Sequence, residues 1–427
     1  MEKVTSNSQT PNTRSFQELV PVYLWIFSIP LGIALQNLLS GIVFLLIVSQ
    51  LVRNKRTPGS KWLRQQGLQP LLASSGLIIW IGIATFLNPG NPASEHILKF
   101  PPGYFIFCFF PPLFVFVYGH FSSDEWKKFL KLASIMAFLW GLIALSQALF
   151  GWRVQGSSFI LEEARRPRGL YSHPLTLAYA AFFLWPLSVR LLFRNAKNIH
   201  SWLMFVGIAV ILLFTQSRTI QAFSGALLFL NLFLYLKGRT RTILLATLAF
   251  TGILVLATPN PVSSKFIDTF SAKGVDLHSD YPDDRIAFWH AHWLMVKERP
   301  VTGHGFQLNT QYRKPYYEQL GLAEFKKQYE AHNMFLQFLS NGGIIALLLF
   351  GYWCFWLLRK IYHCRENSFF RNVALQTFSG FMITGLTQNS FQDASVRIIL
   401  SIFVACCWLS FSAHSQTKNC ENPPVKQ

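Results

Sequence analysis

The sequence predicts an all-α polytopic membrane protein of about twelve transmembrane helices, with one long periplasmic loop carrying amphipathic helices. Composition is the first observation behind this. Hydrophobic residues make up 51% and charged residues only 13%, with 41 Phe and 13 Trp among 427 residues. Few water-soluble domains cover so much apolar side chain with so little charge. Apolar runs of bilayer length recurring along the chain are the second. The third is charge: a formal net charge of +19 would suggest nucleic-acid binding in a soluble chain, but here it distributes unevenly between alternate loops. Disorder, collagen-like repeats and a small disulfide scaffold are excluded by the same composition.

A hydrocarbon core of about 30 Å takes about 20 apolar residues as helix. The candidate spans are residues 20–35, 36–52, 70–88, 101–119, 129–150, 174–192, 200–215, 219–236, 241–257, 333–358, 372–388 and 395–413. The first two are short and share a break at Gln36-Asn37. Residues 1–19 and 414–427 are polar and are expected to be cytosolic tails, while 258–332 form the long loop between the ninth and tenth spans.

With the N-terminus in the cytosol, 22 of the 38 Lys+Arg fall on the cytosolic side, as in Lys237-Gly238-Arg239-Thr240-Arg241. That side then carries +16 and the far side only +3. The bias matches the rule that short cytoplasmic loops are basic. Both termini are therefore expected on the cytosolic side. Cys108, Cys354, Cys406 and Cys407 fall in spans, Cys364 and Cys420 on the cytosolic side, so no disulfide is expected.

Two far-side loops are long, residues 151–173 and 258–332. In the larger one, Asp283 and Asp284 precede a segment in which Ile286, Trp289, Trp293 and Val296 recur at helical spacing before Pro300. A second segment starts near Pro315 and runs through Tyr316, Leu320, Phe325 and Tyr329. Aromatic-rich amphipathic helices of this kind lie at a membrane interface or pack against the bundle. The smaller loop concentrates Arg165, Arg166 and Arg168 where the topology rule disfavours them, and Arg218 sits in the tight turn after the seventh span.

These positions are chemical candidates because an unpaired charge near a membrane interior costs several kcal/mol. Arginine suits a diphosphate, since its planar fork donates paired hydrogen bonds and keeps its proton. Arg285, at the start of a helix, also gains the positive end of the helix dipole. His332 opens the tenth span, and the same dipole biases its ring towards the neutral form that can accept a hydroxyl proton. A lone histidine is as readily a structural hydrogen-bonding residue. His290 and His292 point to different helix faces and make a poor metal pair, and no metal site is expected. His304 reads as a turn residue, and Asp393 and Arg397 as a structural i,i+4 pair. No nucleotide-binding, zinc-protease or serine-hydrolase signature is present.

Taken in order, several motifs resemble the O-antigen ligase and polymerase superfamily of bacterial inner-membrane proteins. They are Arg-Pro-Arg-Gly-Leu-Tyr-Ser-His-Pro (166–174), Gln-Ser-Arg-Thr (216–219), Asp-Asp-Arg (283–285), Arg-Pro-Val-Thr-Gly-His-Gly (299–305) and the His332-Asn333 start that leads to Gly343. The resemblance covers about residues 130 to 400. It implies a glycosyltransferase needing no metal or other cofactor. The donor would be an undecaprenyl-diphosphate-linked O-polysaccharide, and the acceptor the lipid A–core oligosaccharide reached from the periplasmic leaflet of the membrane lipid. By motif position, Arg218 and Arg285 match the family's essential arginines and His332 its essential histidine. Arg166, Arg168, His173, Gln216 and Asn333 become substrate-binding candidates. A polymerase, a protein O-oligosaccharyltransferase and a lipid-linked glycan transporter remain the alternatives; nucleic acid is not an expected partner.

Overall fold

The computed structural model describes residues 14–53, 69–88, 102–119, 121–152, 166–243, 246–247, 250, 284–305, 310–321, 330–363, 368–389, 391 and 393–412. Among them every extended element is a helix and no strand occurs. The helices are α1 (Phe16–Ser28), α2 (Ile33–Arg53), α3 (Gln69–Phe86), α4 (Pro102–Tyr118), α5 (Ser123–Phe150), α6 (Pro174–Arg194), α7 (Ile199–Phe214) and α8 (Arg218–Tyr235). They continue with α9 (Asp284–Glu298), a 3₁₀ turn (Thr310–Arg313), α10 (Lys314–Gln319), α11 (Met334–His363), α12 (Ser368–Thr384) and α13 (Ala394–Ser412). The expected ninth span at 241–257 and the loop residues 258–283 lie largely outside the described residues.

Ile33–Arg53, Ser123–Phe150, Pro174–Arg194 and Met334–Tyr362 are long and apolar enough to cross a membrane, and shorter apolar helices stand beside them. Leu45, Ile79, Leu213, Leu348 and Phe355 are exposed on their outer faces. Such a surface is stable in lipid and costly in water. Among the described residues the fold is all-α, and its several apolar helices make it a multi-pass membrane protein.

Local chemistry sets the helix starts. Ser15 with Glu18, and Ser122 with Glu125, form reciprocal capping boxes at α1 and α5. The two starts are joined by an Arg14–Glu125 ion pair of 3.3 Å. The break between the first two helices is not at Gln36-Asn37. It lies at Ile29–Gly32, where Pro30 and Gly32 interrupt the helix, and Gln36 falls in the first turn of α2. Gln36 is fully buried, with its amide near Ile29 O (3.3 Å) and the Tyr171 hydroxyl (3.5 Å). Its polarity marks a buried hydrogen bond rather than a loop.

α6 is the most buried of the four long apolar helices. It packs against α7, α8, α12 and α13 through residues such as Leu177, Ala178, Ala180 and Ala181, each fully buried. α5 and α7 meet at Gly141 and Gly207, whose backbones touch; a Cβ on either would overlap the other helix. Without a hydrophobic drive between helices in lipid, such small-residue contacts supply the packing.

α11 is broken at Gly343, with φ 63 and ψ −163. The break strands the Ser340 and Asn341 carbonyls and the Ile344 amide, which would pair within a continuous helix. The segment after α9 satisfies all three. His304 N donates to Ser340 O (3.0 Å), Gly305 N to Asn341 O (2.6 Å), and Ile344 N to Pro300 O (2.8 Å). Trp80 Nε1 donates to Gly342 O (2.8 Å), tying in α3. Gly343 and Gly303 lie so close to the opposing backbone that a Cβ on either would overlap it. Both also have positive φ.

A Gly343→Ala substitution therefore combines overlap with the Val301 carbonyl and a backbone conformation that costs a side chain on the order of 1–3 kcal/mol. We expect its melting midpoint in detergent to fall by several degrees. Gly351→Ala, whose Cβ would meet nothing within 4 Å on the same helix, serves as the unchanged control.

Candidate functional site

The zip between the 299–305 segment and α11 anchors α9, and α9 carries Arg285 as its second residue. The apolar residues expected at helical spacing on α9 were Ile286, Trp289, Trp293 and Val296, at a membrane interface or against the bundle. The inward face is built from Ala287, Phe288, Ala291, His292, Met295 and Val296, and Trp289 and Trp293 face outwards at 37% and 49% exposure. Small Ala287 and Ala291 let α9 approach closely, and exposed indoles suit a membrane interface. His292 is buried, with Nδ1 2.9 Å from Ser340 Oγ on α11. The second amphipathic helix is shorter than expected, ending at Gln319; Phe325 and Tyr329 lie outside the described residues.

His304 is a structural core residue, fully buried. Its Nε2–H donates to Met295 O (2.9 Å), and Nδ1 accepts from the Tyr312 hydroxyl (2.7 Å), which itself accepts from Asn88 Nδ2 (2.7 Å). Burial pulls its pKa below the usual histidine value, keeping the neutral tautomer this chain needs.

Arg218 is the first residue of α8, after the Thr215–Ser217 turn in which Gln216 has φ 52. Arg218 and Gln216 are exposed. Arg166 docks on that turn, its Nε donating to Thr215 O (2.9 Å). Burial, and then the nearby Arg218 charge, push the Arg166 guanidinium below its ordinary pKa. The 166–173 loop is held by Gln147 of α5, whose Oε1 accepts from Arg168 N (3.1 Å) and Gly169 N (2.8 Å). The Arg168 side chain is only 7% exposed, so it is sequestered in the loop rather than displayed like Arg218.

His173 caps α6, its Nδ1 accepting from Leu175 N (3.1 Å). Its pKa is depressed, first by burial and then by Arg166, with His332 adding to the effect and Asp393 opposing it. The charges of Arg166, Asp393 and His332 thus all reach this ring. Asp393 accepts from the Thr176 hydroxyl and caps α13 through Ser395 N (2.9 Å).

His332 does not open α11. Asn333 is the cap, its Oδ1 accepting from Phe335 N and Leu336 N (both 3.0 Å), and His332 lies just outside with φ 47. That left-handed conformation turns the ring out of the helix, against Phe288 (centroids 5.3 Å) and Gln388. Nδ1–H donates to Gln388 Oε1 (2.8 Å), which leaves Nε2 as the lone-pair nitrogen of the neutral ring. Met334 N to Gly385 O (2.7 Å) and Asn389 Nδ2 to Glu330 (2.9 Å) hold this corner to the end of α12. Burial raises the Glu330 carboxyl above its usual pKa, against the opposing Arg313 charge. The Arg285 charge acts on the Tyr179 hydroxyl of α6, which hydrogen-bonds Thr387.

The structure therefore gathers Arg218, Arg166, His173, His332 and Arg285 around the start of α6, with Gln388 and Asp393 from the segment after α12. The sequence reading missed Gln388, taken as the end of a span. The signal available was its polar cluster, Thr387-Gln388-Asn389, beside an apolar helix.

A histidine with a depressed folded pKa stabilises the fold above the usual histidine range, and that stability is lost as pH falls through the folded value. Both His173 and His304 have this sign. The detergent melting midpoint should fall between pH 7.5 and pH 5. His173→Asn, which keeps a capping side chain, should lose less over the same interval; an equal loss would show that His173 is not one of the groups taking up protons.

No curated protein matches the chain. The family model described as O-Antigen ligase matches residues 203–351, less than half of the chain. The matched stretch runs from α7 into α11, and so contains Gln216, Arg218, Arg285, His332, Asn333 and the broken segment at Gly343. Over that stretch the chain is similar to the O-antigen ligase family.

Proposed function

We propose that the protein is an O-antigen ligase, transferring O-polysaccharide from undecaprenyl diphosphate to a hydroxyl of the lipid A–core oligosaccharide at the periplasmic face. What supports this reading is the linked set of groups at the start of α6: the Arg218 charge acts on Arg166, the Arg166 and His332 charges on His173, and the Arg285 charge on Tyr179, while His332 Nδ1 donates to Gln388. Arg218 and Arg285 donate to the diphosphate oxygens, stabilising negative charge as the anomeric C–O bond breaks. The bonding pair leaves with the diphosphate. The acceptor oxygen attacks the anomeric carbon from the opposite face, so the configuration inverts. His332 Nε2 takes the acceptor's proton as the new bond forms. The neutral His173, presenting Nε2–H, and Arg166 orient the donor's anionic groups. Charge compensation comes from fixed guanidinium groups, so the reaction needs no metal ion.

Arg218→Ala and Arg285→Ala should each lower transfer by on the order of 10²–10³-fold, and Arg285→Lys should recover only part, since it keeps charge but loses the fork. His332→Ala should lower it by about 10²–10⁴-fold. Gln388→Leu should lower kcat more than it changes KM. These are read as product formed by purified protein from a lipid-diphosphate glycan and acceptor lipid. Wild-type rates in Arg285→Ala and His332→Ala would defeat the assignment.

A deletion strain separates ligase from polymerase. Polymerised O-polysaccharide not joined to lipid A is the expected outcome; loss of polymer, leaving single repeats on lipid A, would make the enzyme a polymerase.

A further inference from the structure

α6, α8 and α12, which meet around the arginine–histidine site, converge again at their other ends. There they enclose a cavity of about 440 Å3 whose lining includes Arg190, Arg194, Asn231, Tyr235, Phe369 and Asn372. Pro174 and Arg190 lie on the same helix, so this cavity sits about 24 Å from the site along the α6 axis. The site and the cavity are separate regions.

Its chemistry is one-sided. Arg190 and Arg194 stand one turn apart, and among the described lining residues there is no carboxylate. Like charges at i,i+4 repel. Arg190 Nε is shielded from solvent and meets no hydrogen-bond partner among the described residues. A buried donor without an acceptor carries a desolvation cost, and calls for an explanation. The Arg194 guanidinium stacks over Phe369, 5.0 Å from the ring centroid. Stacking uses the face of the guanidinium and leaves its in-plane N–H edge to donate. The back wall is firm: Asn231 and Gln376 exchange amide hydrogen bonds of 3.1 Å in both directions. Phe193 and Leu234 make the rest of the wall apolar.

We propose that this cavity binds the phosphate of an anionic ligand between Arg190 and Arg194. Two guanidinium groups lining a cavity with no carboxylate among its described lining residues are suited to phosphate oxygens. Basic pockets between helices at a membrane surface are suited to phospholipid headgroups, and the apolar wall would take the glycerol and upper chain. A soluble phosphate ester offers the same anion without the apolar part.

The test uses full-length protein in uncharged detergent and short-chain phosphatidylglycerol, phosphatidylcholine and inorganic phosphate as probes, with binding followed by titration calorimetry. Wild-type protein should bind phosphatidylglycerol saturably. Arg190→Gln, and independently Asn372→Asp, which adds a carboxylate while keeping both arginines, should weaken that binding by tenfold or more. Arg285→Ala at the distant site should leave it unchanged. Failure of inorganic phosphate to compete assigns a lipid headgroup; competition at similar concentrations assigns a soluble phosphate, and either supports the phosphate site. The proposal is overturned if both cavity variants bind as wild type does. It is also overturned if phosphatidylcholine binds as tightly, or if Arg285→Ala removes the binding.

Discussion

The break in α11 at Gly343 and its repair by the Pro300–Gly305 segment is the contact on which the rest of the site depends. Two carbonyls and an amide left without helical partners would each cost several kcal/mol in an apolar interior. A non-helical backbone is tolerated at such depth only where other protein groups meet it, and here they come from His304, Gly305 and Pro300. Because those residues directly follow α9, satisfying α11 also fixes where α9 lies. Arg285 at the start of α9 is carried to where its charge acts on the Tyr179 hydroxyl of α6, and Phe288 against His332. The glycines at 303 and 343 are needed because two backbones touch.

That geometry concentrates cationic groups. Arg166 is partly desolvated beside Arg218, and His173 is held neutral by burial and by the same arginine. An anion bound among them would gain from each group without forcing a histidine to release a proton first. The polar positions that face the basic cluster, Thr176–Asp393 and Tyr179–Thr387, come from α6 and the residues after α12. Three helices thus frame the site at one end and the arginine-lined cavity at the other.

The membrane class, the helix order and the arginines at 166, 218 and 285 were legible in the sequence because each depends on composition or on charge in an unexpected place. Errors arose where polarity was taken to mean exposure. Gln36 was read as a break, yet it is buried and hydrogen-bonded inside α2. His304 was read as a turn residue, yet its ring joins Met295 to Tyr312. Trp289 and Trp293 fall at helical spacing with Ile286 and Val296, which left open whether that face meets the interface or the bundle; the alanine-lined face packs inwards and the indoles face out. In a membrane protein both faces of a helix can be apolar, so hydrophobic periodicity loses its power to name the buried one.

By itself the sequence determined that the chain lives in a bilayer and which charged residues stand apart, because hydropathy and net charge are sums over residues. Which of those residues meet was decided by tertiary structure. Arg285 and Arg218 are far apart in the chain, and His332 reaches Gln388 only because the α11 start is bonded to Gly385. Contacts of that kind depend on how broken backbones find partners across the bundle, and no local pattern of residues encodes them.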